Sequence, residues 1–263
     1  MTASSPTFIR PRSGTELIDA TFVLVRGHYL RLVALAALPL LPYIVLSLYQ
    51  AIRWGVDPAG ALFLEQVIVY FACSGVAHAA IAVAVSQLYH GRPLDTAAAL
   101  RRTLQRLWVV VATSVVALSL IGVGMVLFLV PGILLFTQYF AIPTVTVLEE
   151  KGFFATFRRS RDLARGHRKM ILVSYGLTWV IVTAIAGAIE LVIGGGLMMT
   201  ERPVMLNLVG NAISVLAYPA IATVATLAYY ETRIRTEAYD LEVLAAGVPH
   251  PGAPGHVPDG TTQ

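Results

Sequence analysis

The sequence predicts an all-α, polytopic membrane protein with six transmembrane helices and about three amphipathic helices lying at the interface. Three observations carry that prediction. The 263-residue chain is 57% hydrophobic and only 13% charged, with a mean hydropathy of +0.72. A soluble domain needs roughly twice that share of charge, about 25%, to coat its surface. Six apolar runs approach or exceed the roughly 20 residues that a helix needs to cross a bilayer. Between the fourth and fifth runs lies 149–169, EEKGFFATFRRSRDLARGHRK, which holds seven of the nineteen Lys and Arg residues. A short segment this cationic resists translocation, so it fixes the sidedness of its neighbours.

Taken in order, 1–13 reads as a disordered leader rich in Ser, Thr and Pro, too polar for a cleavable signal peptide, so insertion rests on the first span. Ser13 followed by Glu16 has the spacing of a capping box and starts a surface helix. Ile18, Phe22, Val25 and Tyr29 share one face of it. The first span, 29–52, contains Pro39 and Pro42, which should kink it. After the turn-rich loop 53–60, the second span, 61–89, carries Ala72, Gly75, Ala79 and Ala82 at steps of three and four. Such a stripe lets helix backbones approach closely in lipid. Asp95 is placed as the N-cap of a second surface helix with Ala97, Leu100, Leu104 and Leu107 on one face. The third span is 107–129, a turn is expected at Pro131 and Gly132, and the fourth span, 133–148, holds Pro143. In the basic segment Phe153, Phe154 and Phe157 form the apolar face. The fifth span, 170–193, ends in glycines 194–196, which follow no strand and carry no Lys, so they form a turn and not a phosphate loop. The loop with Glu201 and Arg202 leads to the sixth span, 205–230. The tail 245–263, rich in Pro and Gly, is expected to be disordered.

Placed on this map, seventeen of the nineteen basic residues fall on one side, and only Arg53 and Arg202 on the other. The positive-inside rule therefore predicts cytoplasmic N- and C-termini. The same sorting, with attraction to anionic headgroups, accounts for the net charge of +4, so nucleic acid is not an expected partner. The lone Cys73 excludes an intrachain disulfide and leaves no thiolate set for zinc. No metal or cofactor site is expected.

The membrane domain, 14–244, divides into three candidate repeats, 14–91, 92–151 and 152–235. In each an amphipathic, mostly basic segment precedes a pair of spans, and Arg26-Gly27-His28 recurs as Arg165-Gly166-His167. All three units would enter and leave on the same side, which makes the repeat parallel.

The run AIPTVTVLEEKGFFATFRRSRDLARGH, the opening GTELIDATFVLVRGHYLRLV and the closing YYETRIRTEAYDLE resemble the membrane domain attached to bacterial glycerophosphoryl diester phosphodiesterases, together with its stand-alone relatives of unknown function. The likeness spans 14–244, and its motifs consist of common residues in a membrane context. It implies a six-helix membrane domain in the bacterial inner membrane. The family's catalytic barrel, with its carboxylates and histidines, has no counterpart in these residues, and no enzyme is expected.

Candidate sites carry two readings each. Arg158, Arg159, Arg161, Arg165, Arg168 and Lys169 are topology signals that also hold their helix on the membrane, or they capture anionic lipid headgroups. Glu65, Gln138, Glu190, Asn207 and Asn211 are placed toward the opposite side, where ionisable and amide groups either reach headgroups and water or converge on a polar cavity. His78, in the middle of the second span, has no titratable partner at its depth and is expected to bond a carbonyl or hydroxyl on a facing helix. Two function classes follow. One is a membrane scaffold and lipid-interacting domain, packing with a second copy or another membrane protein. The other is a transporter or permease component with an outward-facing polar cavity.

Overall fold

The computed structural model describes residues 13–54, 61–198 and 203–237, and these are helical almost throughout. The leader as far as residue 12, the connection 55–60, Glu201 with Arg202, and the tail 245–263 lie outside the described residues. Six helical segments are long and apolar enough to cross a membrane: Gly14–Trp54, Phe63–Tyr89, Leu107–Leu127, Leu129–Leu148, Arg168–Ile193 and Val204–Glu237. The chain is an all-α, polytopic membrane protein.

Helix α1 (Gly14–Trp54) begins with the capping box. The Glu16 N–H donates to Ser13 Oγ at 3.3 Å, and the Ser13 N–H donates to Glu16 Oε2 at 2.7 Å. His28 leaves helical geometry at φ −133°, ψ 21°, which joins a surface helix to the span that follows. The sides of this first segment divide between protein and the exterior. Leu17, Thr21, Leu24 and Val25 are buried, whereas Phe22 and Tyr29 are exposed. The reason is that the surface helix packs on protein as well as on lipid. A Cβ built on Gly14 would lie 3.0 Å from Val173 Cγ1.

Helix α2 (Ala61–Tyr89) is the central element, and every residue from Cys73 to Val85 is buried. Its backbone comes so close to α4 (Leu107–Leu127) that a Cβ on Gly75 would sit 2.1 Å from Ser114 Oγ. Between them runs α3 (Thr96–Gln105), capped by Asp95, whose Oδ1 accepts the Ala98 N–H at 2.9 Å. Helix α3 turns Ala99 and Thr103 into the protein and leaves Leu104 exposed.

Two corrections concern the fourth span. The turn falls at Phe128 (φ −152°, ψ 115°), ahead of Pro131 and Gly132. Pro131 then stands in the first turn of α5 (Leu129–Tyr139), where an N–H has no intrahelical acceptor and its absence costs nothing. Gly132 is needed for closeness: a Cβ there would lie 2.6 Å from Met125 backbone atoms. The span is also broken into α5 and α6 (Ile142–Leu148). Pro143 sits at the start of α6, where it lacks the N–H that would continue the ladder and crowds the carbonyl four residues earlier.

Helix α7 (Phe153–Ala164) carries the arginines, and a short α8 (Arg168–Ile171) leads through a π-helical turn, Leu172–Gly176, into α9 (Leu177–Met198). Helix α10 (Pro203–Glu237) closes the bundle against α1, α2 and α9. The core lies toward the end that bears α3 and α7, the basic end. There the buried stretches of α2, all but Pro143 and Leu148 of α6, and residues 222–232 of α10 meet. Several buried threonines in this core return their hydroxyls to the carbonyl four residues back, as Thr103 to Ala99 and Thr226 to Ala222.

Candidate functional site

At the basic end, Glu149 leaves the last turn of α6 and meets Arg159 of α7. Arg159 Nε donates to both Glu149 oxygens, at 2.9 and 2.8 Å. The same guanidinium pairs through Nη1 with Glu237 at the end of α10, and Glu237 Oε2 accepts Arg233 Nε at 2.9 Å. Tyr229 OH donates to Glu149 Oε1 at 3.0 Å, and the Arg233 guanidinium lies over the Tyr229 ring, 5.9 Å from its centroid. Burial opposes the charge on Arg159, but the Glu237 and Glu149 carboxylates outweigh it and hold the guanidinium above its ordinary pKa. This network ties three elements together across the basic end.

That geometry divides the expected headgroup set. Arg159 is a half-buried bridge between α6 and α10. Arg161 donates to Tyr139 OH at 3.2 Å, and Arg165 pairs with Asp162 at 3.3 Å. Arg158, Arg168 and Lys169 are exposed, with no ion pair among the described residues. The three phenylalanines also separate: Phe154 is 82% exposed, while Phe157 packs edge-on to Tyr139 with ring centroids 5.3 Å apart. The side of α7 that faces the protein is made of Thr156, Ser160, Leu163 and Ala164.

The five residues expected to line a polar cavity do not form one group. Asn211 Nδ2 donates to Asn207 Oδ1 at 2.8 Å and to Ser47 Oγ at 3.2 Å, and Ser47 donates to Asn207 Oδ1 at 2.9 Å. Glu190 lies beside this cluster, its Oε1 3.6 Å from the place of a Cβ on Gly210. Gln50, one turn beyond Ser47, is 2% exposed with neither amide atom bonded. Glu65 is exposed and makes no hydrogen bond or ion pair among the described residues. Gln138 belongs to the opposite half of the bundle, because its carbonyl accepts Ser160 Oγ of the arginine helix at 2.8 Å. The break at Pro143 draws α7 up against α5, a contact that the letters do not announce.

A second feature of the bundle is an apolar space. A cavity of about 960 Å³ opens between α2, α4, α5, the π-helical turn, α9 and α10. His78 and Ser114 stand on its wall, His78 Nε2 lying 3.5 Å from Thr144 Oγ1 on α6. A stacked pair, Phe136 and Tyr175 with centroids 4.7 Å apart, forms another part of it. Gly122 leaves room, since a Cβ there would meet nothing within 4 Å.

Of the residues that this picture adds, Glu149, Glu237 and Gln50 had some sequence signal: acids within or facing a basic segment, and an amide within a span. The cavity had none, because it depends on the π-helical turn and on glycine placement. Among the described residues no three His, Cys, Asp or Glu side chains group as metal ligands. No protein-family profile, curated protein or solved structure matches the chain.

Proposed function

We propose that this membrane protein is a non-catalytic, lipid-interacting domain that holds an acyl chain in the cavity between α2, α4, α5 and α9. The cavity itself carries the reading. Its roughly 960 Å³ lies at the upper end of the range of ligand sites, about 300–1,000 Å³, and its wall is apolar and aromatic with few polar groups. An acyl chain is the apolar ligand that a membrane supplies at high concentration. Arg158, Arg168 and Lys169, exposed beside Phe154, favour contact of the basic end with anionic headgroups. The transport alternative requires Glu65, Gln138, Glu190, Asn207 and Asn211 around one space, and the separation of Gln138 from the asparagines, together with the exposure of Glu65, weighs against it.

The charge asymmetry supports cytoplasmic termini, and the resemblance to the membrane domain of glycerophosphoryl diester phosphodiesterases supports the bacterial inner membrane as its location. A second copy or another membrane protein remains a proposed partner for the exposed helices. Native mass spectrometry of the detergent-solubilised protein tests the acyl-chain site. The wild type should retain one phospholipid more per chain than Gly122→Phe, which fills the open space. Equal retention by both, or none by the wild type, would refute the site.

A further inference from the structure

A second recess lies at the basic end, on a different face of α2 from the apolar cavity. Val83, Ser86, Gln87 and His90 border it, whereas Phe71, Ser74, Gly75 and His78 border the cavity. At 100° per residue these two sets point well over a quarter-turn apart, so one lipid does not fill both. The recess measures about 500 Å³, and four arginines, Arg92, Arg101, Arg102 and Arg233, converge on it with Glu150 as the only acid in its lining among the described residues.

The backbone positions these groups deliberately. Helix α2 ends in a Schellman turn: Gly91 takes φ +69°, its N–H bonds the Leu88 carbonyl at 3.0 Å, and the Arg92 N–H bonds the Gln87 carbonyl at 2.9 Å. The Gln87 side chain then clamps Asp95, accepting its N–H at 2.9 Å, which fixes α3 and Arg101 relative to Arg92. Glu150 is held in the left-handed region at φ +54°, where Arg102 Nη2 meets its Oε1 at 3.5 Å and Arg106 Nη2 lies 3.8 Å from its Oε2. The one acid is therefore already shared between two arginines. Arg92 and Arg101 are exposed and have no acidic partner among the described residues.

We infer that this recess is a binding site for a phosphate group, as a phosphate monoester or diester, with Arg92 and Arg101 as its main ligands. The guanidinium fork matches the geometry of phosphate oxygens and binds them in pairs, which a carboxylate-poor arginine recess favours over any cation or neutral ligand. The volume leaves room for a small organic substituent on the phosphate. Both a phospholipid headgroup and a soluble phosphate ester present this chemistry. The site does not depend on the acyl-chain reading, and Gly122→Phe should leave it intact.

The test uses the full-length protein and two probes. In detergent, binding of radiolabelled glycerol 3-phosphate is measured at constant ionic strength, with chloride as the competing anion. In nanodiscs, thermal stability is compared between phosphatidylcholine alone and phosphatidylcholine with phosphatidic acid. Saturable glycerol 3-phosphate binding, weakened at least tenfold by Arg92→Gln with Arg101→Gln and unchanged by Arg158→Gln, assigns the site to a soluble ester. A stabilisation by phosphatidic acid alone, lost in the same double variant and kept in Arg158→Gln, assigns it to a headgroup. Both results uphold the recess. Equal effects of the double variant and Arg158→Gln in both arms, or no saturable response in either, would overturn it.

Discussion

Arg159 illustrates how one residue can be read correctly as basic and wrongly as available. It lies in the segment that fixes topology, yet both Glu149 oxygens accept its Nε and Glu237 takes its Nη1 from α10, 78 positions along the chain. A lysine offers a single point charge and cannot bridge two carboxylates in this geometry. Removing the guanidinium leaves two carboxylates and the Tyr229 hydroxyl facing one another with less compensation. Such a loss costs about 1–3 kcal/mol, and more where a charge is left buried. Arg159→Gln should therefore lower thermal stability in detergent clearly, and Arg158→Gln, one position away and exposed, should not. A double-mutant cycle with Glu237→Gln should show coupling between the two sites. Additive effects would mean that the bridge seen here contributes nothing.

Among the elements, the α4–α5 hairpin makes the sharpest prediction. Gly132 packs against the backbone of Met125, and a Cβ on Gly124 would lie 2.9 Å from Leu135 Cδ1 and 3.2 Å from the Gly132 Cα. The contact at Gly132 is with main chain, which cannot rotate away as a side chain can. Gly132→Ala should therefore push α4 and α5 apart and cost about 1–3 kcal/mol, whereas Gly187→Ala, open on every side, should be near neutral. Similar unfolding temperatures for the two would show that the hairpin is not held by this contact. These elements also mark how far the letters carry. The spans, the Ser13–Glu16 box and the Asp95 cap are legible because each depends on neighbours in sequence. Pro131-Gly132 reads as a turn for the same local reason. Its actual use, a proline in a first turn and a glycine against the neighbouring helix, is set by packing. On α1 and α3 the period predicts that a face is apolar, but not whether protein or lipid covers it.

At the scale of the whole molecule, the question is which way the bundle stands in the membrane. The ion pairs of Glu149, Glu150, Asp162, Glu231 and Glu237 with arginines all lie at the end that carries α3 and α7. Pairing reduces the net charge of that end, but Arg158, Arg168, Lys169, Arg92 and Arg101 stay exposed there without acidic partners among the described residues. Moving an arginine to the bilayer centre costs about 2.5–3.5 kcal/mol on insertion scales, so translocating this whole end would be prohibitive. The opposite end has only Arg53 and Arg202 as basic residues in the sequence. Reporter fusions at positions 98, 160 and 245 should accordingly report the cytoplasm, and fusions at 57 and 201 the far side. Orientation should also survive the loss of the three exposed charges alone. Replacing Arg158, Arg168 and Lys169 with Gln leaves the Arg159 bridge and the remaining basic residues in place, so position 160 should stay cytoplasmic. A far-side signal at 160 in the unaltered chain would reverse the orientation and place the arginine-rich recess outside the cell.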